Sequence, residues 1–190
     1  EVDLLGRAMG KQDHFAAAYG NLNIFTFASD ETVLVEPVLY KAEIKKNIEK
    51  NLMLFYLKTK RDASEILESQ QRVTGKKLNE LVSLKNFVEP LKEIFSKGND
   101  LNNFGRILDK GWQIKSKITA DISSAKIDKY YQKAKKSGAV GGKLLGAGGG
   151  GFLLFYVEEK NQQAVKDQLS DLYFLPVEFD NGGTRITYYD

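Results

Sequence analysis

Charged side chains that could take part in chemistry occur near the start of the sequence, in the stretch MGKQDHFAAAYG. Asp13 precedes a run of small residues that favours a helix, so its carboxylate would project from the first helical turn with the ammonium of Lys11 nearby. A carboxylate in this position can accept or orient a proton. The alternative is that Asp13 only caps the helix, and His14 is more typical of a surface histidine than of a catalytic one.

A second group of charges, LKTKRD, follows the apolar run LMLFYL. It contains Lys58, Lys60 and Arg61, and the residues after it predict a helix that begins with a capping box of Asp62 and Glu65. Cations beside a helix N-terminus can form a site for a phosphate group. The alternative is a solvated run of charges that binds nothing.

Four consecutive glycines, Gly148 to Gly151, lie in the stretch GGKLLGAGGGGFLLFYV directly before an apolar run. With Gly146 they satisfy the spacing G-x-G-x-x-G, but a dinucleotide-binding loop needs a strand before it and a helix after it, whereas these glycines lead into a predicted strand. No Gly-Lys-Ser or Gly-Lys-Thr follows, which also excludes a P-loop. Two interpretations remain: a tight turn beneath a neighbouring element, or bare backbone N–H groups that approach a phosphate or a loop that holds one.

The first elements that would position these residues are a helix and a hairpin. The sequence predicts one broken helix or two short helices over Leu4–Tyr19, followed by a hairpin of NLNIFTF and TVLVEPV that Pro37 closes. A short charged helix over Tyr40–Asn51 then precedes LMLFYL, whose continuous apolar character is typical of a buried strand.

Helical periodicity dominates the middle of the chain. After a helix that Asp62 opens and Gly75 ends, apolar residues repeat on one helical face over 84–95, where Pro90 predicts a kink or a break. Asp100 is expected to cap the next helix, and a fourth helix follows it.

Strands return at the end of the chain. GFLLFYV, YFLPVEF and TRITYYD are predicted as strands, with a helix over 160–169 between the first two. Strands before and after a block of helices predict an α+β fold, in which helices pack on one face of a mostly antiparallel sheet.

Composition limits the chemistry that is available. The 190 residues include no cysteine and one histidine, which excludes a disulfide framework or a cysteine-based zinc site and argues against a histidine-rich metal site. The net charge of +3 gives no indication of nucleic acid or a membrane as a partner, and no apolar stretch approaches the ~20 residues that span a bilayer. We expect a cytoplasmic protein whose natural chain begins upstream of Glu1, because the sequence does not start with Met.

Three stretches, taken in order, resemble the GHMP small-molecule kinases: MGKQDHFAAAYGNLNIFTF, LFYLKTKRDASEIL and GGKLLGAGGGGFLLFYV. The resemblance is closest to the sugar 1-kinases of that superfamily, typified by those acting on D-glycero-D-manno-heptose 7-phosphate. It implies ATP and Mg²⁺ as cofactors and a small-molecule sugar or sugar phosphate as substrate. It also implies that residues 1–36 end an N-terminal α/β domain and that residues 37–190 form a ferredoxin-like C-terminal domain.

The resemblance also implies roles for individual residues. Asp13 matches the catalytic aspartate, Lys11 would hold that carboxylate or face the transferring group, and His14 replaces a more usual Gln near the substrate. Arg61 and Lys143 become candidates for phosphate contacts. The third stretch would lie beside the nucleotide phosphates and brace the phosphate-binding loop through Gly146, Ala147, Gly148, Gly149, Gly150 and Gly151.

One part of the family pattern does not occur in these residues: the phosphate-binding motif Pro-x-x-x-Gly-Leu-Gly-Ser-Ser. We therefore expect this chain by itself to lack kinase activity. A galactokinase-like or fucokinase-like enzyme is an alternative to the heptose kinase, and a non-catalytic module that binds a sugar phosphate or a partner protein is an alternative of another class.

Overall fold

A computed structural model gives the structure of the chain over residues 10–59 and 63–188. Helix α1 spans Gln12–Tyr19 and ends at Gly20, which has a φ of +60° and donates its N–H to the Ala16 carbonyl at 2.9 Å. A hairpin of β1 (Asn23–Phe27) and β2 (Val33–Pro37) follows, as the sequence predicts. The first part of the predicted helix, before residue 10, lies outside the described residues.

The remaining strands form one antiparallel sheet in the order β4-β5-β3-β6. Their bounds are β3 Leu52–Tyr56, β4 Ala139–Leu144, β5 Phe152–Val157 and β6 Tyr173–Leu175. The helices around them are α2 Ala42–Asn51, α3 Ala63–Val73, α4 Leu78–Lys85, α5 Val88–Lys97, α6 Asn102–Lys115, α7 Ala125–Lys136 and α8 Glu159–Gln168. The predicted α+β class with an antiparallel sheet is confirmed, and no described helix is long and apolar enough to cross a bilayer.

Side chains alternate between the two faces of this sheet and fill two buried clusters. Met53 and Phe155 point into a cluster with α3, α7 and α8, whereas Leu52 and Tyr156 point into one with α2 and α5. Helices thus cover the second face as well as the first.

Helix α6 runs along the edge strand β4 and contributes to both clusters. The two backbones come so close that a Cβ placed on Gly141 would lie 1.9 Å from the Gly105 carbonyl oxygen. Glycine at position 141 is therefore required by helix packing rather than by chemistry.

Two helix boundaries differ from the prediction. The break in the 84–95 region comes at residues 86 and 87, so Pro90 lies in the first turn of α5, where its missing N–H removes no helical hydrogen bond. The expected cap at Asp100 is wrong: Leu101 occupies the N-cap position of α6, and the Asp100 carboxylate pairs with Arg106. The predicted capping box at Asp62 lies outside the described residues.

The end of the chain also differs from the prediction. YFLPVEF pairs as a strand only over Tyr173–Leu175, because Pro176 lacks the N–H that would continue the ladder. The predicted strand TRITYYD is wrong for residues 184–188, which pair with no strand of the described chain. Thr184 instead donates its backbone N–H to the Ala18 carbonyl at 3.2 Å.

Residues 177–184 form what we call the C-terminal strap, which ties α1 to α2. The Asn21 N–H donates to the Asp180 carbonyl at 2.8 Å, and the Phe179 N–H donates to the Glu49 carboxylate at 2.8 Å. The buried ammonium of Lys45 donates to the Phe179 carbonyl at 3.0 Å and lies 3.6 Å from the Glu49 carboxylate. The strap therefore fixes the helix that carries Asp13 against the larger sheet.

Candidate active site

The glycine loop, residues 145–151, connects β4 to β5 and passes between two other segments. A Cβ on Gly148 would lie 2.8 Å from the Ile122 Cα, and a Cβ on Gly150 would lie 2.9 Å from the Thr59 carbonyl oxygen. The Gly149 N–H donates to the Ile122 carbonyl at 2.9 Å, and the Gly151 N–H donates to the Thr59 carbonyl at 3.3 Å. These contacts support the interpretation that the loop turns tightly beneath neighbouring backbone.

Strand β4, which directly precedes this loop, was not predicted from the sequence. A strand before the glycines is one of the two features that a dinucleotide-binding loop needs, and the structure contains it. The other feature is absent, because β5 rather than a helix follows the glycines. A dinucleotide loop remains excluded, because that motif needs the helix that receives the pyrophosphate to begin directly after the glycines.

Part of the glycine loop is open. Among the described residues, no neighbouring atom lies within 4 Å of a Cβ built on Gly146 or Gly151, and both glycines have a positive φ, +74° and +92°. They line a cavity of about 470 Å³ whose other walls include Tyr56, Thr59 and Phe152. Bare backbone is thus available on this side of the loop, as approach by a phosphate or by another loop would require.

Asp13 is exposed and lies inside the first turn of α1, whose N-cap residue is Lys11. The interpretation of Asp13 as the helix cap is therefore wrong. Its carboxylate lies close enough to raise the pKa of two lysines, Lys115 and Lys143, from two other elements. The structure thus brings the predicted aspartate together with the predicted Lys143.

Burial acts on the pKa of both lysines in the opposite sense to Asp13 and lowers it. The pKa of Lys115 is lowered to about 8, mainly by removal from water and in part by the charge of Lys143, while Asp13 partly compensates. Burial likewise lowers the pKa of Lys143, again with Asp13 opposing the change. The Lys115 ammonium also donates to the Gly146 carbonyl at 2.7 Å, which links this group of charges to the glycine loop.

Sequence reasoning missed Lys115. It lies three residues after Trp112, which is buried, and residues three apart share one helix face. The spacing of three residues from a buried tryptophan was the sequence signal that distinguishes Lys115 from the many exposed lysines.

Other predicted residues lie elsewhere. The Lys11 ammonium lies 4.0 Å from the carboxylate of Glu31, next to the hairpin turn, and His14 is exposed on α1. Arg61 lies outside the described residues. Lys58, from the same charged stretch of the sequence, lies over the ring of Tyr173 at 4.1 Å, so this cation stacks on an aromatic face.

Oxygen and nitrogen ligands for a protein-held metal are not gathered anywhere in residues 10–59 and 63–188. No three His, Cys, Asp or Glu side chains among them come together in a way that could hold an ion. Mg²⁺ commonly binds through one or two carboxylates together with substrate phosphates, so this arrangement is compatible with a magnesium ion that arrives with a nucleotide.

The fold and the glycine loop define the class of protein. Residues 83–174 match the family model described as GHMP kinases C terminal. The D-glycero-alpha-D-manno-heptose 7-phosphate kinase of Campylobacter jejuni is 31% identical over 148 residues, which cover 77% of this chain and 43% of that protein.

Two solved structures extend this similarity to the fold. A D-glycero-D-manno-heptose 1-phosphate kinase from Bacteroides thetaiotaomicron shares 27% identity with a TM-score of 0.63, covering 99% of this chain and 53% of its own. A putative sugar kinase from Campylobacter jejuni shares 25% identity with a TM-score of 0.67, covering 96% and 52%. This chain contains a C-terminal domain of the GHMP kinase family, and it spans about half the length of these relatives.

Proposed function

We propose that this chain belongs to an ATP-dependent sugar kinase that phosphorylates the anomeric hydroxyl of its substrate, with D-glycero-D-manno-heptose 7-phosphate as the favoured acceptor. The observation that carries the proposal is the exposed Asp13 carboxylate, whose charge acts on two partly buried lysines, one of which donates to the carbonyl of Gly146 in the glycine loop. The acceptor is inferred from the named activity of the relative that is 31% identical.

In this reaction Asp13 accepts or orients the proton of the acceptor hydroxyl. Phosphoryl transfer needs positioning and charge neutralisation more than covalent chemistry, so holding the hydroxyl within ~3 to 3.5 Å of the phosphorus is the main task of this residue. Bound ATP with Mg²⁺ supplies the γ-phosphoryl group. The open backbone at Gly146 and Gly151 and the nearby ammonium groups of Lys115 and Lys143 fit a polyphosphate.

The role of Asp13 is tested by Asp13→Asn in the protein expressed from its natural start. We expect turnover to fall by on the order of 10³-fold, while ATP binding stays nearly unchanged, because the amide cannot accept the hydroxyl proton. The matched control is Asp167→Asn, which removes a carboxylate on the exposed surface of α8. Unchanged turnover in Asp13→Asn would remove this residue from the mechanism.

The acceptor is tested with a panel of heptose 7-phosphate, fucose and galactose. We expect the highest kcat/KM for heptose 7-phosphate. A preference for galactose or fucose would assign the protein to the alternative sugar kinases instead.

A non-catalytic binding module is distinguished by the coding sequence upstream of residue 1. A glycine-serine phosphate-binding motif there supports the kinase, and its absence supports the module. We also propose that the chain of 190 residues has no kinase activity by itself, and a coupled assay that detects sugar phosphorylation by this chain would contradict that statement.

A further inference from the structure

We propose that Lys115 and Lys143 form a paired cationic subsite for the phosphoryl group being transferred, facing Asp13 across the reaction centre. This inference rests on the proposed function and adds Lys115 to the residues that carry it out.

The position of Lys115 is set by two elements. It lies in the last turn of α6, where a cation complements the negative end of the helix, and its ammonium donates to the Gly146 carbonyl at 2.7 Å. An ammonium has three N–H donors, and within residues 10–59 and 63–188 one of them is used in this hydrogen bond. The other two donors are available to an anion at the open side of the glycine loop.

The second cation comes from β4. Lys143 follows the glycines that pack against α6, so its Cα is fixed by the sheet, and its side chain is partly buried. Within residues 10–59 and 63–188, the charged groups that act on Lys115 are Lys143 from β4 and Asp13 from α1. Among these described groups, two cations face one carboxylate in a place partly removed from water.

A purely structural role does not explain this arrangement. Holding the Gly146 carbonyl requires a single donor, and a neutral side-chain amide would provide it without the cost of removing a charge from water. A second desolvated cation nearby raises that cost, because like charges repel more strongly away from solvent. A phosphoryl dianion placed between the two ammonium groups and the glycine backbone would offset both the cost of removing the charge from water and the repulsion between the cations. Side chains with pKa values perturbed in this way concentrate at functional sites.

The inference is tested by calorimetric titration of this chain with sodium tripolyphosphate at pH 8 and low salt, in two buffers of different ionisation enthalpy. About half of Lys115 is charged at that pH, so an anion that binds beside it should draw up to about half a proton from the buffer. Lys115→Arg should retain the affinity within threefold and lose this uptake. Protonation of the probe itself is common to both proteins, so the difference between them reports Lys115.

Two further variants make the test specific. Lys115→Met should weaken tripolyphosphate binding at least tenfold, whereas the control Lys117→Met, which removes an exposed charge two residues away, should change it less than twofold. Lys143→Met should also weaken binding at least tenfold, and far-ultraviolet circular dichroism checks that each variant is folded. Because the readout is binding, a failure of the kinase assignment leaves this test intact.

The inference is overturned if Lys115→Met binds tripolyphosphate as well as the unmodified chain does, or if Lys117→Met loses as much affinity. It is also overturned if mannose 6-phosphate binds more tightly than tripolyphosphate, because the pair would then hold the phosphate of the acceptor rather than the transferring group.

Discussion

Lys115 shows how a single partly buried charge affects both stability and binding. Its pKa in the folded chain is about 8, whereas the ordinary value is 10.5, because burial and Lys143 disfavour the charged form. The unfolded chain therefore binds more protons between pH 8 and 10.5, so this residue makes folding stability rise with pH across that interval. Below pH 8 the full cost of the buried charge is present.

Replacing Lys115 by Met should therefore stabilise the chain near neutral pH. The lowered pKa of Lys115 corresponds to a cost of at most about 3 kcal/mol in the free energy of unfolding. The variant removes this cost but also loses the hydrogen bond to Gly146, which contributes ~1 kcal/mol. We expect a net gain of about 1 to 2 kcal/mol at pH 7.5 that shrinks at pH 9.5, measured by urea unfolding. A gain that does not depend on pH would show that packing rather than charge is responsible.

The glycine loop is the element that joins the candidate site to the sheet. Four of its glycines, Gly146, Gly148, Gly149 and Gly151, have positive φ values, and two of its glycines approach foreign backbone. A glycine run thus serves packing on one side of the loop and leaves bare backbone on the other.

The packing side is tested by Gly148→Ala. A Cβ there would lie 2.8 Å from the Ile122 Cα at a φ of +132°, so overpacking and backbone strain add together. We expect a loss of about 2 to 4 kcal/mol in the free energy of unfolding. Gly75→Ala is the matched control, since no neighbouring atom of the described chain lies within 4 Å of a Cβ at that position, and it should change stability by less than about 1 kcal/mol.

Lys45 is one of the residues that hold the C-terminal strap. Lys45→Met leaves the Glu49 carboxylate without its cation and the Phe179 carbonyl without its donor, which should reduce stability by about 3 kcal/mol. Lys46→Met, an exposed neighbour, should have an effect below about 0.5 kcal/mol. Chemical unfolding of both variants measures the difference, and equal effects would show that Lys45 does not anchor the strap.

The elements that were predicted from the sequence are those with strong local patterns. The hairpin, β3 and β5 have continuous or alternating apolar residues, and the structure confirms them. Strand β4 escaped prediction because its two glycines weaken the strand signal, although they are there for the close approach of α6. TRITYYD has the composition of a strand, but Thr184 bonds to α1, a long-range contact that no local pattern reports.

The candidate site was predicted in part for a related reason. Asp13 and Lys143 stand out through the stretches that contain them, whereas Lys115 is marked in the sequence only by its spacing from Trp112, and its proximity to both arises from folding. Proximity across three elements is a property of the tertiary structure, so single-sequence reasoning could not supply it.

The described part of the chain has two regions that differ in how deeply their side chains are buried. No residue of α1 is buried, and no residue of β1 or β2 is fully buried, whereas β3 and β5 contribute several side chains with no exposed surface. Local stability in proteins follows such differences, because segments with few buried contacts open without global unfolding. The domain boundary between residues 36 and 37 stays a prediction, and it falls before the last residue of β2.

Hydrogen exchange tests this division in the chain of 190 residues. Amides in β1 and β2 should exchange at least about 100-fold faster than those in β3 and β5, because opening the hairpin exposes little apolar surface. The change from fast to slow amide exchange along the chain should occur near Pro37. Lys45→Met should loosen the strap and so speed amide exchange in α1, while β3 and β5 stay protected. Equal protection on both sides of Pro37 would instead mean that the hairpin, α1 and the larger sheet open as one cooperative unit, and that residues 36 and 37 mark no domain boundary.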